Sequence, residues 1–583
     1  MPAPAIPNVN CLWGAVVAGT LARLGLKHAV LAPGSRSAPL TWAFARQKEI
    51  QSLSVLDERS AAFYALGLAK ASGQPVALVC TSGTAVANFF PAIIEASLSA
   101  VPLLVLTADR PPELRDCHAG QAIDQVKIYG HYPRWQHEMA LPENNPKLLR
   151  YLRQTMVHAW DRSQNQWPGP VHLNFPFREP LAPVKQSGFK APTVKHLEKL
   201  LDIFEPHRGA SASHDVEFFA SAEQIFGARR GVIVVGPGQL ADREIHLRRL
   251  YDWARQCGWP ILADSLSPLR SSVGLGGQMI AHYDLILRAE KKYARLQPEV
   301  VIQLGSLPTS KKLRTWLDGL DVPVLVVNHG PENADPLHRQ AIHWRGKGAL
   351  LALLNRDPPP SNAKYAKHWA RLEKLASMSC ANAFLKMDWL FEGKTAWTLS
   401  RALSMGTPVF VASSMPVRDC EYFWEAGGGQ RIYFNRGANG IDGTLSTALG
   451  IAHAMRRPTV LYTGDLALLH DQNGFLAARE LPAGASLTIV LINNNGSGIF
   501  EHLPISKFDP PFERFFATPQ NIDFEKLAAL YGLDYRRPAT WPDFTQALLP
   551  LPTRGVRLIE VRTDRKRDAA FRSQLFHQIA ATL

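Results

Sequence analysis

A chain of 583 residues is longer than one hydrophobic core can organise, so its length predicts two to four domains. No apolar run approaches the roughly 18 residues that cross a bilayer, and residues 1–5 lack the basic start of a signal peptide, which argues against a membrane protein. The net charge of +14 is mostly dispersed and favours acidic small-molecule substrates over a nucleic-acid partner.

The first part of the chain, from about residue 10 to residue 185, alternates short β-rich runs with amphipathic helical stretches. The pattern predicts strands at 28–31, 76–79 and 101–106, and helices at 60–72 and 85–99. Alternation of this kind is typical of a doubly wound parallel sheet with helices on both faces.

One acidic residue of this segment, Glu58, lies in the run Leu56-Asp57-Glu58-Arg59-Ser60, at a predicted junction of strand and helix. A carboxylate there could simply favour the N-terminal dipole of the helix. The alternative is a catalytic role, which requires a cofactor site elsewhere in the chain for the carboxylate to serve.

The middle of the chain begins with a proline-rich, strandless stretch from residue 175 to about residue 206, interpreted as a linker. A second α/β segment runs from about 215 to 355, with a strand that enters a glycine turn at 231–238 and another strand at 300–305. This turn resembles half of a dinucleotide-binding fingerprint, but Asp264 follows later than the usual spacing, so the turn is interpreted as packing. Residues 357–361 predict a rigid spacer before a helical stretch.

The third α/β segment, from about 380 to 583, carries two polar turns after predicted strands at 460–462 and 487–492, with a helical stretch at 473–480 between them. Asp465 follows the first strand, and Asn494 and Gly496 follow the second. Turn and loop propensity could account for both sequences. The pairing also resembles the motif by which thiamine diphosphate enzymes hold a divalent metal against a diphosphate. Carboxylate, amide and backbone carbonyl oxygens suit Mg²⁺.

The only dense basic cluster of the sequence, residues 562–572, also contains Asp564 and Asp568. It predicts a solvated terminal helix rather than a nucleic-acid patch. The six cysteines, at positions 11, 80, 117, 257, 380 and 420, lack disulfide or metal spacing. Cysteines scattered in this way are typical of reduced thiols in a cytoplasmic protein.

Eight ordered stretches, spread over nearly the whole chain, resemble the 2-succinyl-5-enolpyruvyl-6-hydroxy-3-cyclohexene-1-carboxylate synthases, a family of thiamine diphosphate-dependent enzymes. They are 32–40 (APGSRSAPL), 57–60 (DERS), 81–84 (TSGT), 108–114 (ADRPPEL), 120–123 (GQAI), 310–312 (SKK), 435–443 (NRGANGIDG) and 493–500 (NNNGSGIF). Gly-Asp-Leu at 464–466, in place of the commoner Gly-Asp-Gly, is itself typical of this family.

The resemblance implies three doubly wound parallel-sheet domains of the thiamine diphosphate enzyme type. They are a pyrimidine-binding domain at 1–185, a central domain at 206–358 and a diphosphate-binding domain at 375–583. It implies a homodimer or homotetramer whose active sites lie between the pyrimidine-binding domain of one subunit and the diphosphate-binding domain of another. The implied reaction decarboxylates 2-oxoglutarate and adds the four-carbon fragment to isochorismate in a 1,4 fashion, in menaquinone or phylloquinone biosynthesis.

The same resemblance implies a role for each site residue. Glu58 would contact N1′ of the aminopyrimidine and activate the cofactor. Asp465, Asn494 and Gly496 would hold Mg²⁺, with Mn²⁺ as an alternative metal. The remaining cofactor-binding residues would be Ser414, Ile441, Gly464, Leu466 and Ile499, of which Ile441 enforces the bent shape of the thiamine.

The implied substrate-binding residues are mostly cationic, as two dicarboxylate substrates require. Arg36, Arg110, Gln121 and Lys311 would face isochorismate, and Arg418 and Arg436 the 2-oxoglutarate-derived part. Hydroxyl groups and an apolar wall would complete the site, from Ser35, Ser414, Ile499, Phe500 and Leu503.

Three positions depart from the family pattern. Ser413 stands where an asparagine can occur. Lys312 stands where arginine is common, which puts its bidentate role in doubt, and His118 lies in a loop where a histidine is more often a bystander than an acid–base group. Two alternatives stay open at this stage: another thiamine-dependent decarboxylase or carboligase of the acetolactate synthase type, and a non-catalytic relative that retains the fold. The retained Glu58, Asp465 and Asn494 argue against the second.

Overall fold

The computed structural model describes residues 6–165, 167–202, 217–218, 223–238, 244–290 and 293–583. The N-terminal segment 1–5, the end of the predicted linker and the predicted start of the central domain at residue 206 lie outside the described residues. Within the described ranges the chain forms three sheets flanked by helices, which confirms three α/β units. No helix in these ranges is long and apolar enough to cross a membrane.

The first sheet is parallel throughout, with its strands in the order β2-β1-β3-β4-β6-β5 across the described residues. Its strands are β1 (His28–Leu31), β2 (Gln51–Ser54), β3 (Val76–Cys80), β4 (Leu103–Asp109), β5 (Trp135–Glu138) and β6 (Pro170–Pro176). The strands predicted from the sequence match β1, β3 and β4 to within a few residues. Their continuous apolar sequences fit strands that are covered on both faces.

The helices of the first unit are α1 (Val9–Leu24), α2 (Ala38–Arg46), α3 (Glu58–Ser72), α4 (Thr84–Asn88), α5 (Phe90–Leu98), α6 (Pro146–Gln164) and α7 (Val194–Leu201). The single helix predicted at 85–99 is two helices, α4 and α5, that meet at Phe89. Pro91 explains the break, because proline has no N–H to continue the hydrogen bonding of the preceding turn. A 3₁₀ turn at Pro112–Leu114 follows β4.

The prediction of a linker after residue 175 is wrong, because this stretch packs against the first unit. Phe177 and Leu181 are buried in the core of the first unit, and Asn10 donates hydrogen bonds to the carbonyls of Arg178 and Pro180. Helix α7 lies inside the stretch and packs apolar side chains against α1. The proline content dominated the sequence signal, although apolar side chains at 197, 200 and 201 follow the spacing of a helix face.

The central sheet has its described strands in the order β10-β9-β8-β11-β12-β13-β7, and β7 at one edge is antiparallel to β13, so it departs from the predicted all-parallel pattern. The strands are β7 (Glu217–Phe218), β8 (Gly231–Val235), β9 (Ile261–Ala263), β10 (Met279–Ile280), β11 (Val300–Leu304), β12 (Val324–Asn328) and β13 (Ala341–Arg345). The glycine turn after β8 is a close-packed turn, because a Cβ on Gly236 would collide with the carbonyl oxygen of Ser306. That geometry agrees with the packing interpretation.

The helices around the central sheet are short, apart from α9 and the long helix that follows the 357–361 spacer. They are α8 (Glu223–Phe226), α9 (Glu244–Cys257), α10 (Pro268–Ser271), α11 (Tyr283–Ile286), α12 (Tyr293–Leu296), α13 (Lys311–Asp318), α14 (Ala349–Leu354) and α15 (Ala363–Leu385).

The third sheet is parallel, with its strands in the order β15-β14-β16-β17-β19-β18. The strands are β14 (Pro408–Val411), β15 (Arg431–Tyr433), β16 (Pro458–Gly464), β17 (Ser486–Asn493), β18 (Asp534–Arg536) and β19 (Gly555–Arg562). The helices are α16 (Glu392–Ala402), α17 (Met415–Phe423), α18 (Thr444–Met455), α19 (Asp465–His470), α20 (Phe524–Tyr531), α21 (Trp541–Leu548) and α22 (Arg565–Thr582). Shorter helical segments occupy Gln472–Glu480, Gly498–His502, Pro504–Lys507 and Glu513–Ala517.

The basic cluster near residue 570 does form a helix, α22, but the prediction that it is solvated is wrong for its inner face. Asp568 and Arg572 are almost fully buried, and Arg572 forms ion pairs with Glu392 at 2.9 Å and Asp419 at 2.6 Å. Charge density alone did not reveal this, because the acidic partners lie more than 150 residues earlier in the chain.

The first and third units are joined by a close crossing of α3 and α18. A Cβ on Gly67 would collide with the carbonyl oxygen of Thr447, and one on Gly450 would collide with that of Tyr64. One hydrophobic core spans both units at this crossing. Glycine at both positions is therefore required by backbone contact rather than by an unusual turn.

A buried ion pair reinforces this junction. Lys70 of α3 and Glu95 of α5 lie 3.2 Å apart, with both side chains almost fully excluded from solvent. Lys70 also donates to the carbonyl of Phe434, and Glu95 accepts from the backbone N–H groups of Gly437 and Ala438. The pair therefore holds the loop after β15, at the carboxyl edge of the third sheet.

Candidate active site

A cleft of about 70 Å³, partly open to solvent, lies at the carboxyl edge of the third sheet. The chain segments that follow β14, β15, β16 and β17 supply most of its walls, as expected for a ligand site in an open parallel sheet. Seven of the predicted cofactor-binding residues line it: Ser414, Ile441, Gly464, Asp465, Leu466, Asn494 and Gly496. Glu392, Ser413 and Asp419 line it as well and were not predicted.

Asp465 lies where β16 ends and α19 begins, and only 5% of the residue is exposed. Its two carboxylate oxygens accept hydrogen bonds from the backbone N–H groups of Leu466 at 2.9 Å and Gly496 at 2.8 Å. Burial raises the pKa of Asp465 to about 6, and the two N–H groups oppose that rise. A bound cation would compensate the buried negative charge that burial disfavours.

Asn494 and Gly496 lie in the turn after β17, beside Asp465. The Asn494 amide donates to Glu392 Oε2 at 3.2 Å, whereas its buried Oδ1 has no hydrogen-bond partner in the described part of the chain. Gly496 has φ +139°, and a Cβ there would collide with the carbonyl oxygen of Ala517. Its own carbonyl accepts from Gly498 N–H and keeps a second lone pair. An orphaned amide oxygen beside a buried carboxylate fits a hard divalent cation.

A second group of predicted residues gathers at the carboxyl edge of the first sheet. Arg110 donates to Ser82 Oγ at 2.8 Å, and Gln121 donates to the Ser82 carbonyl at 2.9 Å. Arg36 is largely buried and donates to the Phe177 carbonyl at 2.9 Å. Burial lowers the pKa of Arg36, and the charge of Arg110 lowers it further. Cations held close together in this way disfavour each other and favour an anion between them.

Ser35 precedes Arg36 on an exposed turn of the same edge. Ser82, which orients both Arg110 and Gln121, was missed as a separate site residue, although it lies inside the 81–84 stretch that resembles the family. Only its contacts distinguish it from its neighbours.

Glu58 begins α3, and the preceding Asp57 caps that helix by accepting from the N–H groups of Arg59 and Ser60. In the described part of the chain the half-buried Glu58 carboxylate has no hydrogen-bond partner, and it does not line the cleft of the third unit. Asp57 and Arg59 instead bind Asn473 and the His470 carbonyl of that unit. Glu58 therefore lies outside the lining of the cleft that contains Asp465.

Arg418 and Arg436 lie near the cleft, on α17 and on the loop after β15. Arg418 donates to the Ser414 carbonyl at 2.6 Å, and burial lowers the pKa of both arginines. The charge of Arg314, on α13 of the central unit, lowers both pKa values further. Arg314 is therefore a third cation near this pair, and it was not predicted, although it lies close to Lys311 and Lys312 in the sequence.

The remaining predicted residues lie away from the cleft walls. Lys311 is exposed at the start of α13, and Lys312 pairs with Glu290 at 3.1 Å on the surface. Phe500 packs edge-on against Phe516, and Leu503 is 42% exposed. Ile499 and His118 are half-buried and exposed respectively, and neither lines the cleft.

Three family models match successive parts of the chain. The chain matches the models of the thiamine pyrophosphate enzyme N-terminal TPP-binding domain at residues 13–128, the middle domain at 208–411 and the C-terminal TPP-binding domain at 417–561. It is 49% identical to the 2-succinyl-5-enolpyruvyl-6-hydroxy-3-cyclohexene-1-carboxylate synthase of Trichormus variabilis, over 99% of both chains. The chain belongs to this synthase family.

A synthase of Microcystis aeruginosa is 50% identical over 98% of both chains, and one of Acaryochloris marina is 48% identical over 99% of both. The synthase family identified from the sequence is therefore confirmed, and a relative of the acetolactate synthase type is not favoured. The chain is a thiamine diphosphate-dependent enzyme that forms a carbon–carbon bond with decarboxylation.

Proposed function

We propose that the chain decarboxylates 2-oxoglutarate and adds the resulting four-carbon fragment to isochorismate, the activity of a 2-succinyl-5-enolpyruvyl-6-hydroxy-3-cyclohexene-1-carboxylate synthase in menaquinone or phylloquinone biosynthesis. The observation that carries the proposal is the buried Oδ1 of Asn494, which has no partner among the residues that the structure describes and lies beside the buried Asp465 carboxylate. The cleft belongs to a chain that is 49% identical to such a synthase. Bound thiamine diphosphate supplies the electron sink for the decarboxylation.

The proposed metal ligands are the Asp465 carboxylate, the Asn494 amide oxygen and the Gly496 carbonyl, and the metal is Mg²⁺ or Mn²⁺. The three groups come from two adjacent loops that line one cleft, and the hydrogen bond from the Gly496 N–H to Asp465 supports a common ion. One carboxylate with two neutral oxygens leaves coordination positions for diphosphate and water, which Mg²⁺ favours.

The cofactor's organic part is proposed to lie against Ser414, Ile441, Gly464, Leu466 and Ile499. Glu58 is proposed to hold a proton at the aminopyrimidine, in a cleft completed by a second copy of the chain. Glu58 does not line the cleft of its own chain, which supports a homodimer or homotetramer with active sites between subunits. A monomer would leave this carboxylate without the group that it serves.

The two cationic groups are proposed to bind the two substrates. Ser35, Arg36, Arg110, Gln121 and Lys311 are assigned to isochorismate, and Ser414, Arg418 and Arg436 to the 2-oxoglutarate-derived part. Guanidinium groups bind carboxylates with paired hydrogen bonds, which fixes orientation as well as charge. Ile499, Phe500 and Leu503 are assigned to an apolar wall that excludes water from the reacting atoms. Lys312 is assigned to the same substrates only as a point charge, because an ammonium lacks the fork of a guanidinium and Glu290 already pairs with it.

The domain bounds 1–185, 206–358 and 375–583 also remain proposals, and residue 375 falls inside α15. A cytoplasmic location is proposed from the cysteines, which are all free thiols.

The test follows isochorismate absorbance in the presence of 2-oxoglutarate, thiamine diphosphate and Mg²⁺, with each component omitted in turn. Loss of absorbance that requires all four components is the expected result. Carbon dioxide release from 2-oxoglutarate without consumption of isochorismate would retain the cofactor chemistry and overturn the proposed acceptor.

A further inference from the structure

Glu392 begins α16, is 1% exposed, and lines the same cleft as Asp465 and Asn494. We propose that it is a positioning residue that sets which end of the Asn494 side-chain amide faces the metal ion. The inference rests on the proposed function, since it assumes that Asn494 binds the metal through oxygen.

The chemistry of the two side chains fixes how they face each other. The two ends of an asparagine amide have nearly the same shape, but one only accepts hydrogen bonds and the other only donates them. An ionised carboxylate only accepts, so the end of Asn494 that contacts Glu392 Oε2 at 3.2 Å has to be the NH₂ group. The opposite end, Oδ1, is thereby left toward the cleft, where it has no partner among the described residues. Reversal of the amide would oppose two oxygens and offer N–H to a cation.

Arg572 of α22 fixes Glu392 in turn. It donates to Glu392 Oε1 at 2.9 Å and to Asp419 at 2.6 Å, so that Oε1 of Glu392 faces Arg572 and Oε2 faces Asn494. The backbone N–H of Glu392 donates to Asp568 of the same helix at 3.1 Å. The terminal helix α22 therefore holds the start of α16 through two contacts. Arg572 binds the Glu392 side chain, and Asp568 accepts from the Glu392 backbone N–H.

Gly498 also limits the space around the NH₂ group of Asn494. A Cβ on Gly498 would lie 2.6 Å from Asn494 Nδ2, so glycine at this position leaves room for the NH₂ group where Glu392 holds it. Partners that orient a metal ligand in this way commonly affect metal affinity by about 10–100-fold.

The decisive variant is Glu392→Gln, which keeps the size of the side chain. Arg572 is a donor only, so it selects the oxygen of the introduced amide and turns the new NH₂ group toward Asn494. Asn494 then has to present its oxygen to position 392 and its NH₂ group to the cation. We expect Mn²⁺ binding in the presence of thiamine diphosphate, measured by electron paramagnetic resonance of free Mn²⁺, to weaken by at least about tenfold.

The matched variant is Glu392→Gln with Asn494→Asp. Aspartate has oxygen at both ends, so it accepts from the amide at position 392 and still offers oxygen to the cation, and most of the Mn²⁺ affinity should return. A Glu392 that only pairs with Arg572 predicts no such recovery, and equal weakening in the single and double variants would overturn the inference. Unchanged Mn²⁺ affinity in Glu392→Gln would overturn it too.

Asn494→Asp alone tests the positioning role while Glu392 and Arg572 remain unsubstituted. It places two carboxylates against each other, so Mn²⁺ binding should weaken even though aspartate is an ordinary metal ligand; unchanged or tighter binding would contradict the positioning role. Asp465→Ala distinguishes failure of the metal site from failure of the positioning role of Glu392. If it leaves Mn²⁺ binding intact, the metal assignment itself fails, and this inference fails with it. If Asp465→Ala abolishes binding while Glu392→Gln does not affect it, only the positioning role is lost.

Discussion

The buried Lys70–Glu95 pair offers a direct test of how the first and third units are held together. Glu95→Gln removes the negative charge and keeps the shape, which leaves the Lys70 ammonium buried against the Phe434 carbonyl and Asn435 Oδ1 alone. Burial already lowers the pKa of Lys70, and Glu95 is the charge that opposes this shift. Removal of one partner from a buried pair costs about 3–5 kcal/mol, because the other charge is left uncompensated.

Guanidinium unfolding of the purified variant measures this cost. The matched control is Glu290→Gln, which breaks the surface pair with Lys312 at a similar distance, 3.1 Å against 3.2 Å. Exposed pairs contribute about 0–1 kcal/mol, so the control should differ little from the parent. The double variant Lys70→Met, Glu95→Gln should recover part of the loss, since no buried charge remains. Equal costs for Glu95→Gln and Glu290→Gln would refute the reasoning that burial decides the effect.

Four further predictions concern the site itself. Asp465→Ala should weaken Mg²⁺-dependent binding of thiamine diphosphate by at least about tenfold, because the only carboxylate proposed for the metal is lost; calorimetry that shows unchanged affinity would contradict the assignment. Glu58→Gln should abolish turnover while cofactor binding stays measurable, and near-normal turnover would remove Glu58 from the mechanism. Arg418→Ala should raise the KM for 2-oxoglutarate more than that for isochorismate, and steady-state kinetics with the reverse pattern would mean that the subsites are exchanged. Arg314→Gln should shift the same KM in the same direction by a smaller amount, and an effect on isochorismate alone would place Arg314 elsewhere.

The fold was predictable because its strands are short, continuous apolar runs separated by helical patterns. The closeness of the turns after β16 and β17 was predictable for the same reason. Asp465 and Asn494 each follow a buried strand directly, and neighbouring parallel strands end at the same edge of the sheet. The antiparallel edge strand β7 was not predicted, because two residues carry too little periodicity to indicate a strand.

The parts of the site that escaped prediction depend on long-range contacts. Glu392 and Asp419 belong to no motif, and their place at the cleft follows from Arg572, which lies more than 150 residues later. Arg314 escaped for a different reason: the adjacent lysines fit the family pattern better, whereas the direction of each side chain on α13 depends on how that helix packs. Spacing predicts which residues share an edge of a sheet, but not which cations converge from different domains.

The reciprocal glycine contacts between α3 and α18 bear on how this chain can be divided. Each helix meets the other's backbone at Gly67 and Gly450, and the apolar side chains around the crossing belong to one core. A fragment cut after the first sheet would carry one half of that core into water, together with a lysine and a glutamate that lack the loop they bind. The first and third sheets are separate in topology but share one hydrophobic core, so fragments for biochemical work should retain both.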